Sequence, residues 1–494
     1  MGLRLLKAAR ITVMSNELRV AAPVEVSVIE RLKAAAGPGG YIDDPKDLEG
    51  YSKSWRDDWK GAVPLLLRPK TTAEVAALVK ICAETKTAIV PQGGNTGLTG
   101  ASQPHADMSE VIISTSRMNS VREVDVANDT MTVEPGVILQ EVQRVAADHD
   151  RLFPLSLGAE GSCQIGGNIS TNAGGTQVLR YGNTRALALG LEVVLPSGEI
   201  WNGLRSLRKD NTGYDLKHLF IGAEGTLGIV TAAVLRLFPL PSATETAWIA
   251  LQSPEKAVEL LSFMKSKLGE QVSGFELLQR SVVDLVLEHI PDTEDPINGR
   301  YPWYVLTEIS GQGAPGSLSE LFTDTLGEAA EAGLIDDAAV ASSGLQGQKF
   351  WRMREEMAEA QKRAGPSIKH DVSVPVSKIP QFLAEASAAL EAAYPGINIV
   401  TFGHVGDGNM HYNPVAPEGW TRQAFAGERD KVNRIVHDLV VGHEGSISAE
   451  HGVGRLRLDE NMHYKSAVEI DMMRTVKRAL DPDNIMNPGK VIRL

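Results

Sequence analysis

The 494-residue chain has only two cysteines, Cys82 and Cys163, and no C-x-x-C. That speaks against a disulfide framework or a thiolate metal centre and suits a reducing compartment. No apolar run approaches the roughly 18 residues of a membrane span. A basic excess is also lacking: the formal net charge is −13, which argues against a general nucleic-acid binder with its basic face. There is no internal repeat and no low-complexity tract. What is left is the composition of a globular protein, 43% hydrophobic and 22% charged, and at this length two or three domains are expected. The first 16 residues, MGLRLLKAARITVMSN, are basic and free of acid. They read as a disordered leader, or as a start upstream of Met14, in a cytoplasmic protein; as a presequence they would make it mitochondrial.

The first half alternates short apolar runs with glycine-bearing loops. "AVPLLLRP" (62–69) reads as a strand, Thr71-x-x-Glu74 as a capping box opening a helix to about Glu84, and "TAIVPQGG" (87–94) as the returning strand. "DTMTVEPG", "ALGLEVVLPSG" and "GIVTAAVLRLFP" read as further strands of a mixed sheet. The second half has amphipathic helices in "PEKAVELLSFMKSKLG", "SLSELFTDTLGEAAEAG" and "KFWRMREEMAEAQKRAG", and a strand in "YPWYVLTEIS". The change of character places a boundary near residue 241. A last helix ends before Asp481-Pro482, and an extended tail follows.

Residues 91–102, PQGGNTGLTGAS, hold four glycines, and 154–175, PLSLGAEGSCQIGGNISTNAGG, hold six more. "FIGAEGTLGIVT" (220–231) adds a third loop. Glycine lets backbone approach closely and turns successive N–H groups toward an anion. Three such loops with interleaved Ser, Thr and Asn point to a large phosphorylated cofactor held mostly by backbone. Gly311-x-Gly313-x-x-Gly316 imitates a dinucleotide fingerprint, with Asp336 and Asp337 about 20 residues on. Those acids precede the next apolar run instead of ending a second strand, and Pro315 sits inside the loop. It reads as a turn and helix cap.

Five of the 11 histidines lie between 404 and 451. His437 and His443, in a helix and at its C-terminal end, read as structural. In "TFGHVGDGNMHYN" (401–413), a two-residue turn at Asp407-Gly408 would pair Gly406 with Asn409, Val405 with Met410 and His404 with His411. The two imidazoles would then face each other with Cβ atoms roughly 5 Å apart, and Asn409 and Asn413 would share their face. Such a pair suits Zn, Mn or Fe, with a third ligand from "SAEHGVG" at Glu450 or His451. A metal hydrolase with the glycine loops as mere turns, or a metal-binding protein without catalysis, would fit this cluster too. Arg354, on a helix, and Lys369, in the strand-like "PSIKHDVSVPV", supply cations suited to a carboxylate beyond the reacting end of a substrate.

The glycine loops together with "GHVGDGNMH", "AEHGVG" and the tail "DPDNIMNPGK" resemble the FAD-linked D-2-hydroxyacid dehydrogenases of the vanillyl-alcohol-oxidase flavoprotein superfamily, over about residues 40–494. The resemblance implies an α+β fold: a leader or extension (1–40), a two-subdomain FAD-binding domain (41–241), an α+β substrate or cap domain with the metal site (242–450), and a C-terminal segment (451–494) packing back on the FAD domain. It implies that Pro91, Gly93, Gly94, Asn95, Thr96, Gly97, Gly100 and Ser102 cradle the FAD pyrophosphate. Gly158, Gly161, Ser162, Gly166, Gly167, Asn168, Thr171, Asn172, Gly174 and Gly175 would line the flavin and ribityl chain with Glu224, Gly225, Ile229 and Val230, and Asn487 would return from the tail. Asn95 stands where some relatives carry a flavin-linking histidine, which implies non-covalent FAD. His404, His411 and Glu450 match the family's divalent metal ligands, usually zinc, Asn413 and His451 match substrate-contacting positions, and His451 matches the proposed base. The implied reaction is oxidation of D-2-hydroxyglutarate to 2-oxoglutarate by hydride transfer to flavin, with the metal as Lewis acid. Arg354 and Lys369 match the positions holding the distal carboxylate. Ala358 replaces an expected threonine, which keeps D-malate open beside D-lactate and glycolate. The expected electron acceptor is an electron-transfer flavoprotein, quinone or cytochrome, and the expected assembly a homodimer.

Overall fold

The computed structural model describes residues 22–494 except 56, 57 and 315. The basic leader at 1–16 and Pro315 of the glycine-containing turn lie outside the described residues.

Strands β1 (Tyr41–Ile42), β2 (Leu66–Leu67), β3 (Ala88–Gln92) and β4 (Glu110–Ser114) form a first sheet in the order β1-β2-β4-β3. β2 and β3 both run parallel to β4 between them. The connecting helix, Thr72–Thr85, starts as the sequence indicates, with Thr71 Oγ1 accepting the Glu74 N–H at 3.2 Å. The Glu74 carboxylate reaches back one residue further than in a capping box, to the Lys70 N–H at 2.7 Å. Next come β5 (Val121–Asp125), β6 (Thr130–Val133), β7 (Arg151–Leu152), β8 (Ala188–Val194), β9 (Ile200–Gly203), β10 (Ile229–Arg236) and β11 (Phe238–Pro239). Five of them make an antiparallel sheet in the order β5-β6-β10-β8-β9, and β7 pairs with β11 separately.

The remaining strands are β12 (Ala243–Leu251), β13 (Val272–Gln279), β14 (Trp303–Gly311), β15 (Asp337–Val340), β16 (His370–Ser373), β17 (Asn398–Gly403) and β18 (Asn409–Val415). They form one antiparallel sheet in the order β15-β12-β14-β13-β17-β18-β16. Both faces are covered. Ala247, Ile249, Phe275, Leu277, Val305, Met410 and Tyr412 point to a core under helices Pro254–Leu268, Ser317–Glu331, Ile379–Ala393 and Arg429–Gly442. Trp248, Leu278, Tyr304, Leu306, Val400 and Phe402 point to a second core under helices Arg280–His289 and Gly344–Glu355. Two-sided burial explains the unbroken apolar run Ala247–Leu251 in β12. "KFWRMREEMAEAQKRAG" does not form one helix: the regular helix ends at Glu355, and Met357–Ala360 and Gln361–Arg363 carry the chain on in short turns.

On the second face, the edge made by β13, β17, β18 and β16 turns polar. Glu276, His411, Asn409, Asn413 and Asp371 occupy the positions that alternation assigns to that face, opposite Phe275, Leu277, Met410, Tyr412 and Val372. The C-terminal tail lies against the first sheet: Asn487 N–H donates to Ile89 O and Ile89 N–H to Ile485 O, both at 2.8 Å.

Candidate active site

The turn that carries His404 is wider than the sequence indicates. β17 and β18 pair Phe402 with His411 and Thr401 with Tyr412, so His411 faces Phe402 and not His404. A two-residue hairpin turn of this kind needs positive φ at both central residues, and of Asp407 and Gly408 only Gly408 has it, at 91°. The Asp407 and Gly408 N–H groups both donate to His404 O, at 3.2 and 3.1 Å, so the turn begins at His404. The expected register is therefore off by two residues. A slip of two preserves the face, because side chains alternate with period two. His404 and His411 still converge, with ring centroids 5.7 Å apart.

Ligand atoms of His404, His411 and Glu450 all lie within 4.8 Å of one another. Glu450 Oε1 is 3.7 Å from His411 Nε2 and equally 3.7 Å from His451 Nε2. Burial, with the charges of His404 and Arg354 adding to it, pushes the His411 imidazole well below its ordinary value against the pull of Asp371, so it keeps a lone pair for a cation. Burial would lower His404 too, but Glu276 outweighs it and raises His404 to about 9. Its Nδ1–H donates to Glu276 Oε1 at 2.6 Å, which leaves Nε2 as the ligating atom. Two imidazoles and one carboxylate are the donor set of many catalytic zinc sites, with a position left open.

Two acids that the sequence does not single out are central to this arrangement. Glu276, on β13, is fully buried and also accepts Arg354 Nε–H at 2.8 Å. Asp371, on β16 and 2% exposed, accepts the Glu450 and His451 N–H groups on Oδ2 at 3.1 and 3.0 Å, and Asn409 Nδ2–H on Oδ1 at 2.9 Å. His451 Nδ1 lies 3.2 Å from the same Oδ2. Burial favours the neutral acid, but His451, His411 and the two backbone donors hold the Asp371 carboxyl far below the usual range. A signal for both was present: each is a lone acid inside an alternating or apolar strand run, "VSGFELLQ" and "KHDVSVPV".

Arg354 is 8% exposed and lies over the Phe402 ring at 4.8 Å. Lys369 directly precedes β16 and is half-buried; the Glu359 carboxyl is lowered chiefly by its hydrogen bond from Lys362, with Arg363 and Lys369 adding to it. Asn413 donates to Gln361 Oε1 at 3.0 Å and accepts the His370 N–H at 3.2 Å. Ala358 is exposed. His437 and His443 are structural, as expected: His437 takes a hydrogen bond from buried Arg457 at 3.1 Å, and His443 bonds Glu385 at 2.8 Å.

The glycine loops adjoin this cluster. A Cβ on Gly93 or Gly94 would meet Gln164 and Gly167 or Ser162 O, so the first loop lies directly on the second. A Cβ on Gly174 would sit 3.6 Å from Glu450 Oε2, and one on Gly406 would strike Leu179. Gly97, Gly158 and Gly167 face open space. Among the described residues, Gln164 Oε1, Asn168 Oδ1 and Asn487 Oδ1 are buried acceptors with no hydrogen-bond partner. An open glycine cradle beside buried unpaired acceptors fits a polar cofactor such as FAD. Asn95, in left-handed backbone at φ 56°, bonds Lys53 O and Ser102 Oγ. Gly166, Gly175, Gly225 and Gly100 are packed against Pro135, Ser156 O, Pro91 and Trp59. Ile229 and Val230 are buried in β10, and Thr171 and Asn172 end the helix Ile165–Thr171. Glu224 does not face the cradle with its carboxylate. Burial pushes it up to about 7, against hydrogen bonds from the Val453 and Gly454 N–H groups at 2.7 and 2.8 Å. It and Thr99, which accepts at O from Arg455 and Leu456, hold the 451–456 segment on the glycine-loop half. Asn487 Nδ2 ties the tail to Ala101 O and Glu224 O.

Residues 63–203 match a family model described as an FAD binding domain, and residues 240–491 one described as FAD linked oxidases, C-terminal domain. A solved structure of p-cresol methylhydroxylase with substrate bound superposes at TM-score 0.73 over 95% of this chain and 98% of that one, with 18% identity. The fold is thus α+β of the vanillyl-alcohol-oxidase type, and the two family models make the chain an FAD-dependent oxidoreductase. Two relatives narrow this. D-2-hydroxyglutarate dehydrogenase, mitochondrial, of Arabidopsis thaliana is 38% identical, covering 94% of this chain and 81% of its own. D-2-hydroxyglutarate dehydrogenase of Xanthomonas citri pv. viticola is 37% identical, covering 91% and 93%. The chain belongs to the FAD-linked D-2-hydroxyacid dehydrogenase family. It is an FAD-dependent dehydrogenase, so the hydrolase reading of the His/Glu cluster falls away.

Proposed function

We propose that the chain oxidises D-2-hydroxyglutarate to 2-oxoglutarate, with non-covalently bound FAD as hydride acceptor and a divalent metal, zinc by donor chemistry, held by His404, His411 and Glu450. The observation that carries this is the convergence of those three side chains within 4.8 Å, with His451 and the Gly174 loop at their border. When bound, FAD supplies the hydride-accepting ring and the metal a Lewis acid that polarises the substrate hydroxyl.

The residues of the chain do the rest. Asp371 holds His451 through Nδ1, so Nε2 is the atom left to take the hydroxyl proton, and the carboxylate stabilises the imidazolium that results. Glu276 orients His404 and Arg354. Arg354 and Lys369 bind the distal carboxylate, and Asn413, already locked by Gln361 and His370, contacts the substrate. Residues 41–241 act as the FAD-binding domain, 242–450 as the substrate domain and 451–494 as the returning segment.

Lys369→Ala is expected to lose one charge-assisted contact, about 1.5–3 kcal/mol, from the diacid alone. The ratio of kcat/KM for D-2-hydroxyglutarate to that for D-lactate should fall by about 10- to 100-fold; an unchanged ratio would sink the distal-carboxylate assignment. Chelation should abolish dye reduction while the visible flavin absorbance stays with the protein. Full activity at zero metal content would refute the metal's role.

D-malate is the second reading, favoured by Ala358, which offers no hydroxyl where the family resemblance implies a threonine. Gly311 ends an antiparallel strand instead of opening a parallel β-α-β unit, which supports an electron-transfer protein, quinone or cytochrome over NAD as acceptor. A homodimer is proposed on the family resemblance. The plant relative is named mitochondrial, so the cytoplasmic expectation finds no match there, and a mitochondrial location is the reading consistent with it.

A further inference from the structure

Glu276 joins two groups with different tasks. Oε1 accepts from His404 Nδ1 at 2.6 Å, and Oε2 accepts from Arg354 Nε at 2.8 Å. Arg354, Glu276 and His404 are 8%, 0% and 7% exposed, so neither bond competes with bulk water and both are charge-assisted. Phe402 closes the arrangement from the other side. Its ring lies under the Arg354 guanidinium at 4.8 Å and 5.1 Å from the His411 ring, which it faces across β17 and β18. The guanidinium at one end of the site and both imidazoles at the other are thus referenced to one carboxylate and one aromatic ring.

Resting on the function proposed above, we propose that Glu276 is a positioning and specificity-determining residue: it couples the metal-ligating end of the site to the distal-carboxylate end, and so sets the acid length that can engage both. A diacid binds across the bridge and senses its geometry. A monoacid engages the metal end alone.

The test uses the full chain with FAD bound, and zinc as the probe in competition with a chromogenic chelator. Wild type, Glu276→Gln, Arg354→Met and the double variant are compared for zinc affinity and for kcat/KM with D-2-hydroxyglutarate and D-lactate. Glu276→Gln is expected to weaken zinc by about 10- to 100-fold, as loss of an orienting carboxylate does, and to reduce the diacid-to-monoacid ratio. Arg354→Met, though no metal ligand, is expected to weaken zinc by about 5-fold or more, and to add less than about twofold in the Glu276→Gln background. Unchanged zinc affinity in Arg354→Met would overturn the coupling and leave Glu276 serving His404 only. Unchanged zinc affinity in Glu276→Gln would overturn it outright. Should Glu276→Gln fail to fold because Arg354 is left unpaired, the double variant against Arg354→Met carries the same comparison. The underlying reading fails separately. If wild type shows no preference for D-2-hydroxyglutarate, the substrate is wrong while the zinc pattern still tests the bridge. If wild type turns over without binding zinc, the metal role and the bridge fall together.

Discussion

Replacing His451 with glutamine is expected to lower kcat by about 10²- to 10⁴-fold, the usual contribution of a positioned general base, with flavin and zinc contents unchanged. His404, His411 and Glu450 are untouched by the substitution, and the Glu450 and His451 N–H bonds to Asp371 are backbone bonds that survive it. The loss should therefore fall on turnover and not on assembly of the site. What disappears is an imidazole whose Nδ1 lies 3.2 Å from the buried Asp371 carboxylate and whose Nε2, 3.7 Å from Glu450 Oε1, is the proposed proton acceptor. Steady-state kinetics with D-2-hydroxyglutarate, beside flavin absorbance and metal analysis, would measure it. A loss smaller than about tenfold would remove His451 from the role of base.

Lys490→Met is expected to destabilise the protein by about 3–5 kcal/mol, the penalty for stranding one partner of a buried ion pair. Lys490 Nζ lies 3.3 Å from Glu110 Oε1, with side-chain exposures of 0% and 1%. Burial would raise the Glu110 carboxyl, but Lys490 and the His105 contacts outweigh it and hold it at about 2. Its folded value lies below its unfolded one, so the stability it contributes is present above the ordinary carboxyl range, near pH 4.5, and is lost as pH falls toward about 2. Lys490→Met should weaken that acid dependence. The tail that carries Lys490 also binds Ile89 through Ile485 and Asn487, and the Val491 N–H donates to Gly454 O, three residues from His451. Loosening it should lower activity as well. Urea unfolding of the full chain would show the shift, and removing both charges with Glu110→Leu should restore most of it. A single variant within about 1 kcal/mol of wild type would show the pair to be dispensable.

The residues that converge in the candidate site were recognisable by type. His404, His411, Glu450 and His451 stand out because glycines surround them and little apolar packing competes for the histidines. The glycine loops announce themselves by density, and residue 241, where the sequence changes character, lies just before β12 of the seven-stranded sheet. The hairpin register differs from the expected one because Asp-Gly favours the tightest turn, whereas the chain turns over His404–Gly408. The error was an even number of residues, so it left the correct side chains on the correct face. Glu276 and Asp371 are not legible in the sequence for another reason. Their partners lie 128 and 80 residues away in sequence, and no local pattern records such pairings.

By itself, the sequence determined the chemistry available: an acidic chain poor in cysteine, two imidazoles and a carboxylate beside a third imidazole, glycine loops for a cofactor, and motifs that mark its family. It also determined the local faces, because strand alternation is a property of the backbone alone. Only the tertiary structure decided which groups meet. The sheet order β13-β17-β18-β16 brings Glu276 to His404 and Asp371 to His411 and His451, and Glu224 with Thr99 ties the His451 segment to the glycine loops. Those encounters follow from burying both faces of one sheet and closing a tail on another, and that packing depends on the whole chain.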